Sequence, residues 1–137
     1  MSDMYELVAT LTLNAGIVDD ELAELRWHLG RGPDPGTYPL TGHTAPEPVF
    51  AARGPAWKLA GALVAELAER ERGGWALTVR QEVHPDQFAT ARALLEGVAR
   101  HCDGVGFAGY LRFYEDDVVA PLLMDRGYIR LPAALLE

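Results

Sequence analysis

Serine is almost missing from this chain: Ser2 is the only one in 137 residues. A serine nucleophile with its base is therefore close to excluded. Lysine is equally scarce. Lys58 stands alone, so Schiff-base chemistry has one candidate, and no lysine sits in a glycine-rich nucleotide loop. Cysteine also occurs once, at Cys102, so no internal disulfide can form and a cytoplasmic setting is expected. There is no apolar run of about 18 residues, so no membrane-spanning helix is expected. The N-terminal MSDMYELVAT lacks the basic start and short apolar core of a signal peptide. Positive charge is short as well: 12 Lys and Arg against 20 Asp and Glu leave a formal net charge of −8. That field repels phosphates, so neither a nucleic acid nor an anionic membrane is expected as partner.

What remains is the composition of one soluble globular domain, residues 1–137, long enough to bury a core without cross-links. The clearest signal runs from Trp75 to Phe113. Trp75, Leu77 and Val79 alternate with Thr78 and Arg80, and Val83 resumes the apolar side, the pattern of a strand buried on one face. Pro85 and Asp86 suit a helix start. Phe88, Ala91, Leu95 and Val98 follow at helical spacing, and Gly104 lies where a helix can stop. Phe107, Gly109, Leu111 and Phe113 then alternate with Tyr110, Arg112 and Tyr114 as a second strand.

The first part of the chain repeats this order. Tyr5, Leu7, Ala9, Leu11 and Leu13 alternate with Glu6, Thr10 and Thr12. Asp19 or Asp20 can cap a helix striped by Leu22, Leu25 and Leu29, which Gly30 and Gly32 end. Residues 31–56 hold six of the nine prolines and read as a loop insertion, either a lid or a surface excursion, with a short edge strand around Val49–Ala52. Residues 57–70 satisfy helical propensity, yet Leu59, Gly61, Leu63, Ala65 and Leu67 also alternate. Gly61 is poor in a helix interior and Arg72-Gly73-Gly74 looks like a hairpin turn, so Leu59–Leu67 is read as a strand. A terminal hairpin is expected over 121–131, around Asp125-Arg126-Gly127.

Two strand–helix–strand halves make an α+β fold on the β-α-β-β-α-β plan, with both helices on one face of an antiparallel sheet in strand order 4-1-3-2. The other face would gather Thr10, Thr12, Thr78, Arg80, Glu82, Tyr110, Arg112 and Tyr114. This architecture resembles the ferredoxin-like, dimeric α/β-barrel proteins, in which two sheets pack face to face; the resemblance is one of fold and implies a homodimer, not an activity.

The open-face candidates are weighed against plainer roles. Arg80 and Arg112 could hold one carboxylate or phosphate with their planar forks, or simply pair with Glu82, Glu66 or a partner chain. Tyr110 and Tyr114 could stack on a flat ligand or pack in an interface. His28, His43, His84 and His101 have no ligand spacing; His28 would suit the end of the first helix as a cation, and His84 would mark a helix boundary. Glu115, Asp116 and Asp117 read as a solvated turn. Cys102, near a helix C-terminus, reads as an inert thiol. Gly104, Gly106 and Gly109 match a dinucleotide fingerprint formally, but they leave a helix and enter a strand, the wrong context. Trp27 and Trp57 flank the proline-rich loop as core fillers or anchors. No metal and no cofactor is expected. The expectation is therefore a self-associating binding or interaction module, not a covalent catalyst. The alternative is a small cofactor-independent enzyme that takes an anionic or aromatic molecule at Arg80, Arg112, Tyr110 and His84.

Overall fold

Strand β1 (Tyr5–Leu13) is the axis of the molecule, with a long neighbour on each side. The computed structural model describes residues 3–136. Along the chain follow α1 (Asp19–His28), β2 (Gly54–Pro55), β3 (Ala62–Glu69) and β4 (Trp75–Val83). A single 3-10 turn (Pro85–Gln87) then leads into α2 (Phe88–Ala99), β5 (Val105–Phe113), β6 (Ala120–Asp125), β7 (Tyr128–Arg130) and the short α3 (Ala133–Leu136). The result is an α+β domain with an open, seven-stranded antiparallel sheet in the order β2-β3-β4-β1-β5-β6-β7, and three helices. The expected four-strand order does not describe this sheet. Three further strands extend it, β2 at one edge and β6 with β7 at the other. Among the described residues, no helix is long and apolar enough to cross a membrane.

The alternation in β1 decides the layering. Leu7, Ala9, Leu11 and Leu13 are buried with Leu77, Val79 and Val83 of β4 and with Leu25, Leu29, Leu94, Leu95 and Val98 of the two main helices. These residues form one core between sheet and helices, while Thr10, Thr12 and Thr78 stand exposed on the opposite face.

Two chain segments differ from the sequence reading. The ambiguous stretch is a strand only from Ala62; residues 57–61 make a turn instead, because Gly61 takes φ +78°, a conformation that breaks a strand. The expected edge strand at Val49–Ala52 is absent. The edge strand is Gly54–Pro55, and an edge is where a strand tolerates a proline without an N–H. Val49 and Phe50 go into the core instead.

The proline-rich segment is anchored to the scaffold at several points. Leu40, Ala45, Val49 and Phe50 are buried, and polar groups of the scaffold hold its backbone. Glu24, fully buried on α1, accepts from the Leu40 N–H at 2.6 Å and from the Thr41 hydroxyl at 2.6 Å. His28, one turn later, accepts from the Val49 N–H through Nδ1 at 3.3 Å, and its carbonyl accepts from the Phe50 N–H at 2.9 Å. Gln81 of β4 takes the Ala52 N–H and donates to the Ala52 and Val64 carbonyls. On α2, Gly97 makes room for the strap: a Cβ there would lie 2.4 Å from the Leu40 carbonyl oxygen. A segment without regular hydrogen bonds of its own must have its buried polar groups satisfied from outside; these three side chains supply much of that, and Arg100 donates to the Pro39 and Leu40 carbonyls. His28 is therefore not the helix-end cation expected. Burial pushes its pKa down to about 4, and it serves as a neutral acceptor.

The expected cap of α1 also moves. Val18 is the N-cap, and Glu21 closes the turn by accepting from the Val18 N–H at 3.1 Å. Trp27 packs beneath the strap against Tyr38. Trp57 is 72 % exposed and fills no core.

Candidate functional site

The open face of the sheet carries Thr10, Thr12, Thr78, Arg80, Glu82, Tyr110 and Arg112, and the strand pairing fixes their neighbours. Glu6 of β1 lies opposite Glu82 of β4 and opposite Arg112 of β5; Val8 lies between Arg80 and Tyr110; Thr10 faces Thr78. Arg80, Tyr110 and Arg112 are thus brought together at one end of the face.

Their relationship is not the one expected. Glu6 sits between the two arginines and takes both. Arg80 Nε donates to Glu6 Oε2 at 2.7 Å, and Arg112 Nε donates to Glu6 Oε1 at 2.8 Å. Neither arginine uses Glu82 or Glu66; Glu66 pairs with Arg31. Each guanidinium is further fixed by backbone carbonyls, Arg80 by Ala62 and Arg112 by Tyr114 and Asp116. Glu6 is 3 % exposed. Burial raises its pKa, but hydrogen bonds and charge from Arg112 and Arg80 outweigh that, and the net result is a lowered value. The Tyr110 hydroxyl is pushed up by burial and by the Glu6 carboxylate beside it, so it stays protonated.

Glu82 has a different set of donors. Its carboxylate accepts from the backbone N–H groups of Trp57, Lys58 and Leu59 at 2.9, 2.6 and 3.0 Å. This draws the 57–61 turn over the same end of the open face. Burial works against the charge, and the three amides lower the pKa despite it. Lys58 then reaches over two rings, 5.1 Å from the Trp57 centroid and 4.9 Å from Tyr114.

The other end of the face exposes three large side chains, with Asp125 and Arg130 among them on the same side. Val105 and Phe107 of β5 are 71 % and 67 % exposed, and Tyr128 of β7 is 67 % exposed. Phe107 pairs with Leu123, Val105 with Asp125, and Asp125 with Tyr128, so these side chains lie on one side of the β5–β7 sheet. A bulge between Phe107 and Gly109 shifts the β5–β6 register, and the pairing of β5 with β1 ends at Gly109. Gly109 makes the bulge possible: it takes φ +140°, and a Cβ would lie 1.9 Å from the Val8 carbonyl oxygen.

The remaining candidates stay apart from this face. His101 pairs with Glu21 at 2.9 Å, while His84 is the N-cap of the 3-10 turn and accepts from the Asp86 N–H. Cys102 is buried, and burial first, then Asp103, raises its pKa to about 11. Glu115, Asp116 and Asp117 are exposed. Among the described residues, no three His, Cys, Asp or Glu side chains are placed to share a metal ion.

Glu6 and the Val105–Phe107–Tyr128 patch are what sequence reasoning missed. Glu6 was visible only as one polar member of an alternating strand; its meaning depends on which strands flank β1. Phe107 was read as facing the helices, because an alternation count slips by one across a bulge.

Comparison with protein-family models, with curated proteins and with solved structures finds no match to this chain.

Proposed function

We propose that this chain is an interaction module that associates with a second copy of itself through the open face of its sheet, and that its β1-α1-β3-β4-α2-β5 core is a ferredoxin-like unit extended at both edges. The observation that carries the reading is the exposure of Val105, Phe107 and Tyr128 together on one side of the sheet. Large apolar side chains grouped on a sheet face are a mark of an interaction surface.

Charge supports the same face. Two copies at −8 repel each other, so they can approach only where charge is locally balanced. The open face meets that condition: Glu6 offsets one of its two arginines, Glu66 is paired with Arg31, and Asp125 with Arg126. The rival reading, an anion-binding pocket at Arg80 and Arg112, loses support because Glu6 already takes the Nε of both. The order β3-β4-β1-β5 at the centre of the sheet supports the ferredoxin-like core.

Sedimentation velocity over a range of concentrations tests the surface. Phe107→Arg puts a charge where the partner would pack and removes no core contact. It should shift the chain toward monomer by at least tenfold in concentration. An unchanged association curve would rule the face out.

A further inference from the structure

A concave site lies at the opposite end of β5 from Phe107. Its volume is about 380 Å³, within the range of small-molecule pockets. Tyr5, Leu111, Phe113 and Ala134 line it, with Val118 and Val119 from the loop that joins β5 to β6. Tyr5 and Phe113 meet edge-on at 5.3 Å, giving the pocket an aromatic wall. Val118 is 72 % exposed and Val119 43 %, so two consecutive apolar residues stand uncovered at its rim.

The polar groups in the lining decide which ligand fits. Arg112 lines the pocket, but its guanidinium is committed to Glu6 and to the carbonyls of Tyr114 and Asp116. Those carbonyl bonds also fix the loop backbone as one wall. Asp116 lines the pocket as well, and among the described residues its carboxylate takes part in no ion pair or side-chain hydrogen bond. A cation is offered an uncommitted carboxylate, an aromatic wall and a chain of net charge −8, whereas an anion is offered an arginine already in use.

We propose that this pocket binds a small molecule with an aromatic or apolar body and a single protonated amine, the body against Tyr5, Phe113 and Val119 and the amine at Asp116. The site shares no residue with the apolar patch at Phe107, so it stands or falls apart from self-association.

The test is a methyl NMR titration with three probes of similar size: phenethylamine, benzyl alcohol and phenylacetate. Phenethylamine should give saturable shifts at Val118, Val119 and Ala134, with a Kd in the millimolar range expected for so few atoms. Benzyl alcohol should bind the same methyls several-fold more weakly, and phenylacetate should not bind. Asp116→Asn, an exposed change that leaves the fold alone, should bring phenethylamine down to the benzyl alcohol level. The same titration on the Phe107→Arg chain should be unaltered. Shifts that never saturate, shifts centred elsewhere, or equal binding of phenylacetate would each overturn the proposal.

Discussion

Glu6 and Glu82 lie directly opposite each other on β1 and β4, and both carboxylates are held below their ordinary pKa. Like charges placed so should destabilise a sheet. They do not here because each has its own set of donors, two guanidinium groups for Glu6 and three successive backbone amides for Glu82. The strands at this end are thus tied both to each other and to the turn above them.

Glu6→Ala should therefore cost more than a surface ion pair. Removing the carboxylate leaves two partly buried guanidinium groups facing each other, at a cost of about 2–4 kcal/mol. The lower half of that range is favoured because both arginines keep some water contact. Urea unfolding measures it. A loss under about 0.5 kcal/mol, the level of an exposed pair, would show that the triad contributes little.

His28 sets a pH dependence of known sign. Its folded value of about 4 lies below the ordinary histidine value of 6.5, because burial disfavours the charged ring. Between these values the unfolded chain takes up a proton that the folded chain refuses. The stability linked to His28 is complete above pH 6.5 and is lost as pH falls to about 4. It amounts to about 3 kcal/mol. The lowered carboxylates, Glu6, Glu21 and Glu82, act in the same direction but further into acid, below the ordinary glutamate value of 4.5. In His28→Gln the slope of stability between pH 6.5 and 4.5 should flatten while the more acidic loss remains. An unchanged slope would mean that another group carries it.

Gly97 and Gly109 should reject any side chain, for different reasons. At Gly97 a Cβ would press on the Leu40 carbonyl, so Gly97→Val should loosen the strap, costing about 1–3 kcal/mol, and speed hydrogen exchange at Leu40 and Thr41. At Gly109 both the Val8 backbone and the positive φ oppose a side chain, so Gly109→Ala should cost at least as much. Slow exchange at Leu40 and Thr41 in Gly97→Val would contradict the packing described.

Glu82→Gln keeps the shape and weakens the carboxylate's hold on three amides. Charged acceptors make the stronger hydrogen bonds, so a loss of about 1–2 kcal/mol is expected. Resonances of Trp57, Lys58 and Leu59 should move together. If only Lys58 responds, the turn is held by its ring contacts instead.

How much of this was legible depends on range. The alternations in β1 and β4, the stripe of α2 and the strand read over Leu59–Leu67 follow from local periodicity; β1, β4 and α2 are present in the structure, and the third strand runs instead from Ala62 to Glu69. The 31–56 strap was not readable in the same way. Its buried backbone is held largely by Glu24, His28 and Gln81, side chains 16 to 29 residues away from the groups they hold. Nothing local in the sequence marks those three as partners of a loop. The candidate face was half legible. Arg80, Tyr110 and Arg112 do converge, but the carboxylate between them comes from a strand 74 residues before Arg80 and 106 before Arg112.

The most direct test of the central claim is the solution mass of the unmodified chain, by light scattering on a sizing column at low and at high salt. Association through the Phe107 end of the open face predicts about twice the 15.0 kDa of one chain, kept or strengthened as salt screens the repulsion between two acidic copies. A monomer at both salt concentrations, at tens of micromolar protein or above, would contradict it.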